Sequence, residues 1–147
     1  MIYLTDTNIL LRFLYRDDPG YPIVRTAVRK LRANGHQLYA TSQNFTEFWN
    51  ASTRPINRNG FGLTPLETDR LLRRAERLFP LLPDLPAMYS EWRRLVMTYG
   101  VSGVQVYDAR LVAAMISHGA THILTLNTAD FARYAPEGIV AVDPATV

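Results

Sequence analysis

The chain has 147 residues, 48% of them hydrophobic, which is the size of one domain with a substantial buried core. It contains no cysteine, so disulfides, thiolate nucleophiles and cysteine-ligated zinc are excluded. The formal net charge is only +3, but Lys30 is the single lysine and every other basic side chain of fixed charge is an arginine. This bias suits phosphate binding and is equally consistent with genomic base composition.

The N-terminal segment, MIYLTDTNIL, predicts neither a signal peptide nor a membrane anchor. It reaches an acid at Asp6 and contains no basic region and no long apolar run. A cytoplasmic protein is therefore the expectation.

Predicted strands and helices alternate along the chain. In the first half, the patterns predict a strand at 2–5, helices at 9–15 and 22–35, a strand at 37–41, a helix at 43–53 capped by Ser42, and a loop at 54–62. In the second half, they predict a helix at 65–79 capped by Thr64, a strand at 80–83, a helix from Asp84 to Tyr99, a helix entered at Asp108, and strands at 122–126 and 138–142. This alternation is typical of βα units around a parallel sheet, so we expect one α/β domain over residues 1–147.

Acidic residues follow the predicted strands or begin the helices behind them. Asp6 directly follows the first strand, Glu47 lies in the first or second turn after the second, Asp108 enters a helix, and Asp130 follows the fourth strand. In open parallel sheets, such positions converge beyond the carboxyl ends of the strands. The four acids are therefore predicted to meet at one rim of the sheet.

Asp108 on its own has a simpler interpretation. A carboxylate at the start of an apolar helix commonly accepts hydrogen bonds from free N–H groups and suits the positive end of the helix dipole. Taken alone, Asp108 therefore indicates a cap or a first-turn charge. Its membership in a set of acids from distant segments favours a functional site instead.

Such a cluster needs protons or a cation to hold it together. Two carboxylates about 5 Å apart repel each other by ~3 kcal/mol at an effective dielectric constant of about 20. Oxygen ligands favour Mg²⁺ or Mn²⁺, which keep some waters and accept substrate phosphate oxygens. A metal ion at such a site can activate water and stabilise an in-line displacement, so the cluster suggests phosphodiester hydrolysis.

Several segments together resemble a known family. TDTNILLRFL, TSQNFTEFWN, VQVYDARLVAAM and ILTLNTADFARY are similar, in order and spacing, to the signature segments of PIN-domain ribonucleases, specifically the VapC-type toxins of bacterial toxin–antitoxin pairs. The resemblance extends over nearly the whole chain. It implies a three-layer α/β/α domain with a short, mainly parallel sheet of about five strands.

The resemblance also implies roles for individual residues. Asp6, Glu47 and Asp108 match the three metal-binding acids of the family, and Thr7 and Asn8 fall in the turn that helps to hold the first of them. Some members have a fourth acid at the position of Asn127, whereas others have it three residues later, where this chain has Asp130. Asp130 is therefore the expected fourth carboxylate, directly or through water, with Asn127 and Thr125 as polar neighbours.

The activity implied by the resemblance is Mg²⁺- or Mn²⁺-dependent endoribonucleolytic cleavage by the toxin of a toxin–antitoxin pair. The implied partners are an RNA substrate, a cognate antitoxin that covers the acids, and a second copy of the chain in a homodimer. One alternative is a catalytically silent module that keeps the fold for protein binding. Another is a receiver or phosphotransferase-type α/β domain, but these need a lysine near the phosphate, and Lys30 lies in the first long amphipathic helix.

Overall fold

The computed structural model describes all residues from Met1 to Val147. Its strands are β1 (Ile2–Thr5), β2 (Gln37–Thr41), β3 (Leu81–Leu82), β4 (His122–Leu124) and β5 (Val140–Val142). Its α-helices are α1 (Thr7–Leu14), α2 (Tyr21–Ala33), α3 (Ser42–Thr53), α4 (Pro65–Leu78), α5 (Met88–Thr98), α6 (Val106–His118) and α7 (Thr128–Phe131). Short 3-10 turns connect several of them.

The sheet has five strands in the order β3-β2-β1-β4-β5, and every pairing is parallel. This confirms the predicted α/β class and the predicted number of strands. The chain moves outward from β1 through β2 to β3, and then returns to the other side of β1 to form β4 and β5. The topological switch point, where parallel sheets bind ligands, therefore lies beside the carboxyl end of the central strand β1.

Helices cover both faces of the sheet, which gives the predicted three layers. Successive β1 residues alternate between them: Tyr3 belongs to the core shared with α1 to α4, and Leu4 to the core shared with α5 and α6. Phe48 of α3 and Val112 of α6 are fully buried on the two opposite sides. This double coverage explains why the strands are short apolar runs without a polar face.

Three strands, β3, β4 and β5, are shorter than predicted, and the first two each have a local cause. β3 is confined to Leu81–Leu82 because Pro80 and Pro83 flank it, and proline has no N–H to continue the ladder. β4 ends at Leu124 because the N–H of Leu126 donates instead to Oδ1 of Asn8, at 3.2 Å. The chain thus leaves the sheet where it reaches the predicted site.

Two of the predicted helix caps are wrong. Thr41, not Ser42, caps α3, because its hydroxyl accepts from the N–H of Asn44 while the Asn44 side chain accepts from the N–H of Thr41. Asp84 does not cap α5, which begins at Met88. Instead, the hydroxyl of Ser42 donates to the carboxylate of Asp84 at 3.0 and 3.1 Å, so the two misassigned caps contact each other.

The only lysine lies away from the acids. Lys30 Nζ donates to the backbone oxygen of Val147 at 3.1 Å. The acidic site therefore has no lysine beside it, as a receiver or phosphotransferase site would need. None of the helices combines the length and apolar character required to cross a bilayer.

Candidate active site

All four predicted acids are found near the carboxyl edge of the sheet. Asp6 immediately follows β1, Glu47 lies on α3 behind β2, Asp108 is in the first turn of α6, and Asp130 is in α7 behind β4. Asp6 is only 7% exposed, whereas Glu47 and Asp108 are partly buried and Asp130 is exposed. The four acids therefore differ in depth, from the buried Asp6 to Asp130 at the surface.

Asp6 is held by three donors from two strands' ends. Its Oδ1 accepts from the N–H of Thr7 at 2.8 Å, which makes Asp6 the N-cap of α1. Its Oδ2 accepts from the hydroxyl of Thr125 at 2.8 Å and, more weakly, from Asn8 Nδ2 at 3.4 Å. Thr125 is fully buried and also accepts from the N–H of Asn127 at 3.0 Å, so its hydroxyl has a fixed direction. The predicted accessory residues thus orient the central acid.

Glu47 is held from both of its oxygens. Thr7 Oγ1 donates to Oε2 at 2.9 Å, and Gln43 Nε2 donates to Oε1 at 2.8 Å. Thr7 in turn accepts from Asn44 Nδ2 at 3.2 Å, and Asn44 is the buried residue whose side chain also accepts from the N–H of Thr41, the N-cap of α3. The start of α3 is therefore tied to the start of α1, which fixes Glu47 beside Asp6.

Asp108 does not cap α6. Gln105 occupies the N-cap position, and no side chain makes a capping hydrogen bond there. Asp108 lies three residues beyond the N-cap position, still in the first turn, and its carboxylate makes no side-chain hydrogen bond. The structure thus excludes the cap and places Asp108 in the first turn, close enough to the other three acids for their charges to raise its pKa.

Asp130 belongs to this group through its charge. It raises the pKa of both Asp6 and Asp108, although it makes no hydrogen bond with either. Asn127 precedes α7 and has an exposed side chain, while its N–H is used by Thr125.

Burial and the neighbouring acids raise the pKa values of Asp6 and Asp108. Burial raises the pKa of Asp6 above its usual value, the Thr125 and Thr7 hydrogen bonds oppose this, and the charges of Glu47 and Asp130 add to it. The pKa of Asp108 is raised to about 6, mainly by burial and then by the charges of Asp6, Asp130 and Glu47, against a smaller opposing effect of Arg133. Both acids would hold their charge more readily with a cation between them.

The donor set fits a hard divalent ion in chemistry, with one geometric restriction. The acids offer only carboxylate oxygens, which suit Mg²⁺ and Mn²⁺. However, no group of three or more acidic or histidine side chains is arranged so that it could hold an ion by itself. Mg²⁺ usually keeps several waters and takes one or two protein carboxylates, so this restriction is compatible with a partly hydrated ion.

Some polar residues of the site were not predicted from the sequence. Gln43 and Asn44 lie one turn before Glu47 and are buried. Arg110 lies two residues after Asp108 on α6 and donates to Gln43 Oε1 at 2.9 Å. The only signal in the sequence is their spacing of four or fewer residues from an acid on the same helix. That spacing alone does not separate them from ordinary helix residues.

The chain is an α/β domain: its parallel sheet is covered by helices on both faces, and four acids lie near the carboxyl end of the central strand. Within that class, the PIN domain family model matches residues 3–136, so the chain belongs to the PIN domain family. No curated protein matches the chain in sequence.

Several solved structures have the same fold. VapBC2 from Rickettsia felis, bound to a DNA fragment from its promoter, matches with a TM-score of 0.70 and 16% identity over 97% of this chain and 100% of that chain. FitAcB from Neisseria gonorrhoeae matches with a TM-score of 0.68 and 22% identity over 100% of both chains. VapBC-1 from nontypeable Haemophilus influenzae matches with a TM-score of 0.66 and 16% identity over 98% of both chains.

The role of Thr125 can be tested by removing its hydroxyl. We expect Thr125→Val to lower the free energy of unfolding by about 1.5 kcal/mol, because it leaves Asp6 and the N–H of Asn127 each short of a buried partner. The measurement is urea unfolding at pH 7 in a chelator. Thr5→Val is the matched control, since the Thr5 hydroxyl is buried with no partner, and its removal should be neutral or stabilising. Equal effects of the two substitutions would contradict this role.

The raised pKa of Asp108 predicts a pH-dependent cost of folding. Because its folded-state pKa of about 6 exceeds the ordinary value of 3.8, the protonated form stabilises the fold below pH ~4, and this contribution is lost as pH rises to about 6. Asp108→Asn should therefore be more stable than wild type at pH 7 in a chelator by about 1 kcal/mol, a value reduced for partial solvent screening. Urea unfolding between pH 4 and 8 measures the difference, which should vanish at the acidic end. A difference that is constant with pH would contradict the raised pKa.

Proposed function

We propose that this chain is a single PIN domain over residues 1–147 that hydrolyses RNA phosphodiester bonds internally with Mg²⁺ or Mn²⁺, as the toxin of a toxin–antitoxin pair. The observation that supports this most directly is the set of acids from four separate segments at one switch point, with the pKa values of Asp6 and Asp108 raised by burial and by their acidic neighbours. PIN domains are generally nucleases, which supports the same class of reaction. A silent binding module would have no use for such mutual repulsion.

In this proposal, the acids have different duties. Asp6 and Asp108 would hold the ion, because Asp6 is oriented by its donors and the Asp108 carboxylate has no other side-chain partner. Glu47 and Asp130 would complete the set beside them, directly or through water. When bound, the divalent ion supplies a Lewis acid that lowers the pKa of water and neutralises phosphate charge. Thr7 and Thr125 keep the carboxylates aimed during the reaction.

The proposed toxin role is supported by the family and by what the structurally similar proteins are described as. One of the matching solved structures is described as a toxin–antitoxin complex from Klebsiella pneumoniae, which supports an antitoxin as partner for this chain as well. A basic residue from such a partner would compete with the metal ion, because both neutralise the same carboxylates. A homodimer is part of the same proposal.

The activity is tested by incubating labelled cellular RNA with the purified chain. We expect internal cleavage in Mg²⁺ or Mn²⁺ and none in excess EDTA, since the proposed ion activates the attacking water. Ca²⁺ should support cleavage poorly, because its larger and more flexible coordination shell suits this site less well. Cleavage that persists in excess chelator would rule out the proposed mechanism, and intact RNA under every metal condition would favour the silent binding module.

A further inference from the structure

Gln43 links the two helices that bear Glu47 and Asp108. It lies one turn before Glu47 on α3 and is only 9% exposed. Its Nε2 donates to Glu47 Oε1 at 2.8 Å and to the backbone oxygen of Tyr107 at 2.9 Å. Tyr107 directly precedes Asp108 in the first turn of α6. A single amide group therefore bridges one acid and the backbone next to another.

The orientation of this amide is determined by its surroundings. Both partners of Nε2 are acceptors, whereas the partner of Oε1 is a donor, Arg110 Nη1, at 2.9 Å. A reversed amide would place its oxygen against two acceptors and its nitrogen against a guanidinium, which would lose all three hydrogen bonds. Arg110 thus fixes which way Gln43 presents its two N–H groups.

The first turn of α6 is held from two sides. Gln43 Nε2, on α3, donates to the carbonyl oxygen of Tyr107, and Trp92 Nε1, on α5, donates to the carbonyl oxygen of Val106 at 2.9 Å. A helix end restrained by two neighbouring helices cannot shift independently of either. The position of Asp108 therefore depends on the same amide that holds Glu47.

We propose that Gln43 is a positioning residue that sets the separation of Glu47 and Asp108, and that Arg110 acts by orienting it. This inference rests on the proposed function, because the separation matters only if the acids hold a metal ion. In this role, neither side chain would itself be a metal ligand. Loss of a residue that orients metal ligands typically weakens metal binding by about 10- to 100-fold.

The direction in which metal affinity changes when Arg110 is removed distinguishes this proposal from a purely electrostatic role of Arg110. As a nearby positive charge alone, Arg110 would oppose a cation, and its removal would tighten metal binding. As the residue that orients Gln43, its removal weakens metal binding instead. Moderate salt reduces the first effect, because Arg110 is partly exposed and its long-range field is screened.

The test measures Mn²⁺ binding to the full chain by electron paramagnetic resonance of the free ion, without RNA. Gln43→Met keeps the length of the side chain but has no donor, and we expect it to raise the dissociation constant about tenfold or more. Arg110→Met, at a partly exposed position that should tolerate the change, should raise it severalfold. Gln37→Met is the matched control, because Gln37 is exposed at the opposite end of β2, and it should leave binding within about twofold of wild type.

RNA cleavage as a function of Mn²⁺ concentration separates positioning from simple loss of structure. For Gln43→Met, the concentration giving half-maximal cleavage should rise while the plateau stays close to wild type. A merely structural role would lower the plateau without moving the midpoint. Unchanged Mn²⁺ binding in Gln43→Met, or tighter binding in Arg110→Met, would overturn the inference and leave the proposed function standing. Absence of Mn²⁺ binding by wild type would overturn both.

Discussion

Asp6→Asn is expected to abolish RNA cleavage while leaving the fold intact. Asp6 is the most buried of the acids and is oriented by Thr7 and Thr125, so the neutral amide removes the charge at the centre of the site. The loss should be on the order of 10³-fold or more, as is found when one member of a group that acts as a unit is removed. The measurement is the initial rate of cleavage of labelled RNA at saturating Mn²⁺.

The substitution separates the charge of Asp6 from its capping role. An asparagine can still accept from the N–H of Thr7 and cap α1, so the helix should persist. Asp69→Asn is the control, because Asp69 is a surface residue paired with Arg73 on α4, and its loss should not affect cleavage. If Asp6→Asn cleaved RNA as fast as Asp69→Asn, the active site would have to lie elsewhere.

The location of the acids was predictable because it depends on topology alone. Once strands and helices alternate, any residue just after β1 or β4 must reach the carboxyl edge of a parallel sheet. Asp6 and Asp130 needed no more than this, and Glu47 only needed to lie within two turns of the start of its helix. The prediction for Asp108 was weaker, because a helix entrance has an alternative explanation that only the observed N-cap at Gln105 removes.

The hydrogen-bond network was not predictable, because its partners are distant in sequence. Gln43 meets Tyr107 and Arg110 across more than 60 residues, and nothing in either segment indicates the other. The wrong caps have the same origin. Ser42 and Asp84 are both good capping residues by type, but tertiary contact pairs them with each other. The order of strands and helices therefore located the acids, and only the fold identifies what orients them.

Metal-linked stability gives the second large expected effect. If Asp6 and Asp108 hold the ion, wild type should gain about 2.7 kcal/mol when Mg²⁺ is present at a hundred times its dissociation constant, because the ion binds only the folded state. For a chain of this size, that corresponds to a rise in Tm of about 5–10 °C. The measurement is thermal unfolding in a chelator and in Mg²⁺ at pH 7.

Two variants determine whether this gain comes from the proposed site. Asp6→Asn and Asp108→Asn should each lose most of the Mg²⁺-induced shift, because either one removes a ligand charge, whereas Asp69→Asn should show the full shift of wild type. In the chelator the order differs: Asp108→Asn should melt above wild type, since it no longer has a carboxylate whose pKa is raised by burial and by its acidic neighbours. A helix cap or an ordinary surface charge has no reason to produce both effects. If Asp108→Asn melted below wild type in the chelator and kept the full Mg²⁺ shift, Asp108 would be a structural residue of α6 and the site would lose one of its two proposed ligands.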